Sequence, residues 1–237
     1  MSEQTAEHQE PHTGNITQRL NWLRAGVLGG NDGIVSTAGI VLGVAGATAS
    51  RTTILTAGIA GLTAGAMSMA VGEYVSVSSQ RDTERALLAK ERAELRETPD
   101  EELAELTEMY TAKGLDRDLA AAVAVQLTAH DALAAHAEVE LGIKPGNLTS
   151  PWNAAFASWV AFTVGALLPL VAIAAPPPSV RVPITVVAVL VALGLTGLTS
   201  GWLGKAPLAR PFWRNVFGGS VAMAVTYGIG TLVGIAV

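Results

Sequence analysis

The chain has 237 residues, half of them apolar and only 15% charged, with 25 Gly and a positive mean hydropathy, which excludes an ordinary soluble domain and suits a small polytopic membrane protein. There is no cysteine, so disulfides, thiolate metal sites and cysteine nucleophiles are excluded. The formal net charge of −5 is segregated: 15 of the 20 Asp and Glu lie between Arg81 and Glu140 beside 7 Lys and Arg, a net of −8, so this block points towards cations and away from nucleic acid.

Residues 1–18 are polar, with His8, Pro11, His12 and Gly14, and read as a disordered cytoplasmic tail. The first apolar stretch, 25–49, is long enough to span a bilayer. It ends in Ala47-Thr48-Ala49, which imitates a signal-peptidase site, but its length and its Asn31-Asp32 pair predict a permanent span. A second span, 53–75, follows, and because nothing between Met67 and Glu97 breaks a helix except Gly72, it is predicted to continue into water as far as Glu97. Thr98-Pro99-Asp100-Glu101 then reads as a capping signal for a helix closed by Gly114, and a third acidic helix over 116–141 is closed by Gly142. After a linker at 143–147 come spans over 152–174, 182–202 and 216–237, separated by Pro176-Pro177-Pro178 and Lys205-Ala206-Pro207.

The expected fold is therefore an all-α membrane protein: five transmembrane helices with a three-helix cytoplasmic metal-binding domain between spans 2 and 3. Its organisation is a tail (1–18), transmembrane helices 1–2 (19–80), the acidic helical domain (81–145) and transmembrane helices 3–5 (146–237). With the N-terminus inside, only Arg51 and Arg181 of the 15 Lys and Arg fall in outer loops, which places the acidic block in the cytoplasm. Trp22, Tyr74, Trp152, Trp202 and Trp213 sit near span ends, as interfacial anchors do.

Asp32 is the most informative single residue, because an ionisable group inside a span is costly and faces a partner or a water-filled path. Met69 lies at a comparable depth in the next, antiparallel span, and Glu73 follows it by one turn on the same face. Two carboxylates and a thioether at one depth suit a divalent transition ion. The plainer alternatives are an Asp32 that caps a local break in Gly29-Gly30-Asn31-Asp32-Gly33 and a Met69 that fills core space. In the acidic block, Glu91 with Glu94 and Glu102 with Glu105 are i, i+3 pairs, and His136 with Glu140 is an i, i+4 pair. Such groups on neighbouring helices hold divalent metals in helical bundles. Interleaved Arg81, Arg85, Arg92 and Arg96 leave open a salt-bridged, solvated surface instead. No nucleophile-base pair and no phosphate-binding loop is present, so the chain reads as no enzyme, and any transport must draw on an ion or substrate gradient. A membrane-anchored, ferritin-like iron store or ferroxidase is the alternative, although its Glu-x-x-His motif is lacking.

At these residues the chain resembles the vacuolar iron transporter family and its nodulin-21-like plant relatives. The resemblance runs from about Asn21 to the C-terminus and is carried by GGNDGIVSTAGIVLGVAGA, GAMSMAVGEYVSVSSQRDTE, ERAELRETPDEELAEL and AHAEVELGI. It implies a five-span protomer, a homodimer with the path between protomers, and export of Fe2+, often also Mn2+, from the cytosol in exchange for protons. Carried over by position, Asp32 and Met69 are similar to the family's intramembrane metal and proton residues. Glu91, Glu94, Glu102, Glu105 and Glu140 match its cytoplasmic metal-binding glutamates. Where many plant relatives have a Met pair, this chain has His136-Ala137, so an imidazole replaces sulfur. The expected ligands are thus Fe2+ and Mn2+, with Zn2+ or Co2+ fitting the same donors, and no cofactor is required. The expected partners are protons, the lipid bilayer and a second protomer, in a bacterial plasma membrane.

Overall fold

Seven helices make up the secondary structure of the described residues: α1 Ile16–Ala47, α2 Arg51–Glu97, α3 Pro99–Ala112, α4 Arg117–Val139, α5 Pro151–Ala174, α6 Arg181–Leu203 and α7 Ala209–Ala236. The structure, a computed structural model, describes residues 16–145 and 149–236, with side chains from residue 26 onward. The tail histidines His8 and His12, the linker residue Asn147 and the Trp22 ring lie outside what is described. Five of the helices (α1 from Gly26, α2, α5, α6 and α7) are long and apolar enough to cross a membrane.

The chain divides into two compact units, one of residues 1–74 with 152–237 and one of residues 75–151, and α2 contributes to both. In the first unit α1, α6 and α7 pack against one another. Between helices in lipid there is little hydrophobic driving force, so close backbone approach does the work. At Gly33 a Cβ would collide with the carbonyl oxygen of Phe162 on α5, and at Gly230 of α7 one would collide with that of Gly43. The buried core between the helices includes Leu42 of α1, Ile54 of α2, Ile173 of α5, Leu193 of α6 and Met223 of α7. Arg51 at the start of α2 donates from Nη2 to the carbonyl of Ala174 at the end of α5, a cation on a helix C-terminus. Tyr74 packs on Trp152 with ring centroids 4.8 Å apart, while Trp202 and Trp213 are exposed, as anchors at a lipid headgroup level are. The last helix begins at Ala209, seven residues ahead of the span expected from apolarity. Pro211 falls in its first turn, where a missing N–H is tolerated, so the helix starts where the backbone permits and not where charge stops.

In the second unit the expected helix ends are present. Gly114 (φ 102°) and Gly142 (φ 65°) carry the left-handed backbone that closes α3 and α4, and Ile143 N–H reaches back to the Ala137 carbonyl at 2.8 Å. Asp116 caps α4 by accepting from Asp118 N–H at 3.2 Å. Two local expectations differ. Thr98 stands at the N-cap of α3, but its hydroxyl donates back to the Glu94 carbonyl, so no side-chain cap forms and Pro99 in the first turn starts the helix. And α4 is interrupted at Asp131, whose φ of −160° and ψ of 94° are extended backbone.

Candidate metal centre

Three helices of the second unit each send one polar side chain to a common point. The long α2 carries Glu91 one turn beyond Leu88, both facing inward, and the short turn at Thr98 folds α3 back so that Glu102 and Leu106 also face inward. The end of α4 supplies His136. All three are buried, Glu91 at 3% exposure, Glu102 at 7% and His136 at 0%. One ligand atom of each lies within 4.8 Å of the others. His136 Nδ1 is 3.1 Å from Glu91 Oε1 and 3.6 Å from Glu102 Oε2. Neither contact is a hydrogen bond, the second being too long, and Glu91 Oε1 and both His136 nitrogens lack a partner in the protein.

Such a cluster is electrostatically frustrated. Burial pushes the Glu91 carboxyl up to about 7, reinforced by the charges of Glu140 and Glu102, and burial followed by Glu105 raises Glu102, with His136 acting the other way. Two buried carboxyls this close cannot both ionise cheaply unless a cation sits among them. Two carboxylates and one imidazole form an oxygen and nitrogen donor set without sulfur, which fits a borderline divalent ion.

The other acidic residues form the surroundings of this centre. Glu94 is half-buried, with Lys90 Nζ 2.8 Å from its Oε1. Glu105 and Glu140 are exposed, and they act on the buried pair through charge. His130 is exposed, as its lack of a matching neighbour suggests.

In the first unit, Asp32 is half-buried and its Oδ1 accepts a hydrogen bond from Ser36 Oγ at 2.9 Å. Asn31, its neighbour on a different face of α1, meets Thr196 of α6 at 3.5 Å, and Asn215 of α7 reaches the same hydroxyl at 3.4 Å. Sequence reasoning passes over Thr196 and Asn215, although each carries a signal: a hydroxyl in an apolar run and an amide in the turn just before one. Met69 packs against the cluster of Ala66, Phe162 and Ala166, and Glu73 is half-buried one turn further along. Among the described residues Asp32 and Glu73 join no group of three or more carboxylate and imidazole ligands.

Comparison with known proteins bears on both units. The sequence pattern of the VIT family matches residues 23–231. A vacuolar iron transporter of Acanthamoeba castellanii is 43% identical over 212 residues, 89% of this chain and 78% of its own length. Vacuolar iron transporter homolog 2 of Arabidopsis thaliana is 36% identical over 228 residues, 96% of this chain and 92% of its own. Vacuolar iron transporter homolog 5 of rice is 37% identical over 216 residues, 91% of this chain and 82% of its own.

Proposed function

The chain belongs to the VIT family, whose named relatives are transporters and not enzymes, and from that premise we propose that it moves Fe2+, and Mn2+ by the same chemistry, out of the cytosol in exchange for protons. The observation that carries the reading is the buried triad of Glu91, Glu102 and His136 with its unpartnered ligand atoms. In this reading the second unit is a cytoplasmic metal-capturing domain. Glu91, Glu102 and His136 hold the ion, while Glu94, Glu105 and Glu140 draw it in through their charge. The raised Glu91 carboxyl means that a proton is the competitor for the same site, so loading metal releases a proton.

The ion then crosses the bundle past Asp32, Met69 and Glu73, with the Asp32 carboxylate exchanging metal for a proton and the Met69 thioether favouring transition ions over Mg2+ or Ca2+. Two protomers form the path, in a plasma membrane with the N-terminus inside, an orientation supported by the Arg51 and Arg181 positions. Zn2+ and Co2+ are weaker candidates on the same donors. The test is metal-resolved uptake into proteoliposomes under an imposed pH gradient, comparing Fe2+, Mn2+, Zn2+ and Co2+. Flux that follows the gradient supports the proposal, whereas tight binding with no flux would favour a membrane-anchored metal store.

A further inference from the structure

We infer that Asp131 is a positioning residue that rotates His136 into the metal centre, an inference that rests on the reading of Glu91, Glu102 and His136 as a metal site. The first part of α4 buries Ala120 and Ala124, one turn apart on one stripe. At 100° per residue an unbroken helix would carry His136 about 140° away from the middle of that stripe. His136 and Ala137 are nonetheless both fully buried, and His136 touches Glu91 and Glu102. Asp131 is the one residue in α4 whose backbone is not helical, and it lies between the two registers.

The Asp131 side chain itself selects the break. Its Oδ1 accepts from Ala134 N–H at 3.0 Å, the bond by which an N-cap starts a new helix. The flanking segment Ala132-Leu133-Ala134-Ala135 has high helix propensity and would continue a helix if left alone. An Asp competes with the helix by bonding nearby backbone N–H groups, and here it does so three residues ahead. The segment 132–139 is therefore a separately capped helix whose rotation is set by Asp131, and that rotation presents the imidazole. Asp131 is exposed and five residues from His136, so it acts through the backbone.

The experiment uses the full-length protein in detergent with Mn2+ as the probe, and reads both the binding isotherm and the nitrogen hyperfine coupling that an imidazole ligand gives bound Mn2+. In Asp131→Ala the affinity should fall about tenfold, as loss of a cap predicts, and the nitrogen coupling should weaken while carboxylate-bound Mn2+ remains. Two variants should restore both signals: Asp131→Asn, which keeps a capping oxygen, and Asp131→Ala combined with Ala132→Pro. Proline at the first helical position forces the preceding residue out of the helical region without any cap. Wild-type affinity and coupling in Asp131→Ala would overturn the positioning role. So would failure of both restoring variants, which would mean that the carboxylate itself is needed. A wild-type protein that binds no Mn2+, or binds it without nitrogen coupling, would instead overturn the underlying assignment of His136 as a ligand.

Discussion

Glu91 concentrates the conflict at the heart of the centre, a carboxyl 3% exposed and surrounded by other acids. Its pKa in the folded protein, about 7, stands above its ordinary value of 4.5, so the folded state holds a proton that the unfolded chain has released across that window. The contribution of Glu91 to stability is therefore fully present below pH 4.5 and is lost as pH rises through 7. Thermal unfolding of metal-free wild type and Glu91→Gln at about pH 5 and about pH 8, either side of that range, should show the glutamine variant gaining on wild type as pH rises. An unchanged gap would mean that Glu91 ionises freely. Added Mn2+ should stabilise wild type and leave the variant nearly unaffected, because only a ligand bound to the folded state shifts the equilibrium. Asp32 poses the opposite experiment, because Asp32→Asn keeps the acceptor for the Ser36 hydroxyl and loses the charge. Proton-driven metal flux should vanish in this variant while its elution profile and melting stay like wild type; flux at the wild-type rate would remove Asp32 from the path.

At the scale of the helices, small residues have two distinct roles. Gly33 lies where α1 and α5 approach backbone to backbone, with the Phe162 carbonyl in the place a side chain would take. Gly33→Ala should therefore cost about 1–3 kcal/mol of stability, the usual range for overpacking. Gly72 of α2 faces open space, with nothing within 4 Å of where a methyl group would sit, and Gly72→Ala should stabilise the helix by about 0.5–1 kcal/mol. Melting of the two variants in the same detergent checks both signs at once, and destabilisation by Gly72→Ala would mean that the exposed face of α2 has a partner. The acidic helices follow a related logic. An i, i+3 pair is about 60° apart around a helix, so of Glu91 and Glu94 one can enter a narrow centre while the other stays at its rim. Glu91 and Glu102 are buried; Glu94 and Glu105 keep contact with solvent.

Across the whole molecule, the proposed function puts capture in the second unit and passage in the first, which would give them separable kinetics. With Glu91, Glu94, Glu102 and Glu105 all changed to Gln, the metal concentration for half-maximal flux should rise at least about tenfold while the maximal rate falls less, as expected when binding is lost ahead of the rate-limiting passage. A collapse of the maximal rate with unchanged half-saturation would place these glutamates in the passage itself. The sequence alone determined the five apolar helices, the continuous α2, the acidic block and the glycines that close α3 and α4, because apolar length, charge segregation and positive-φ closure are local properties written in consecutive residues. It also determined which residue types were worth watching, down to Glu91, Glu102 and His136. The tertiary structure alone decided that these three meet while Glu94, Glu105 and Glu140 surround them, and that Asn31 meets Thr196 across a sequence separation of 165. It also decided that α4 breaks at Asp131. An Asp in an alanine-rich helical run reads as solvated helix surface until the buried faces on its two sides are known, and those faces show only once α3 is packed on α4 and Glu91 of α2 stands beside His136.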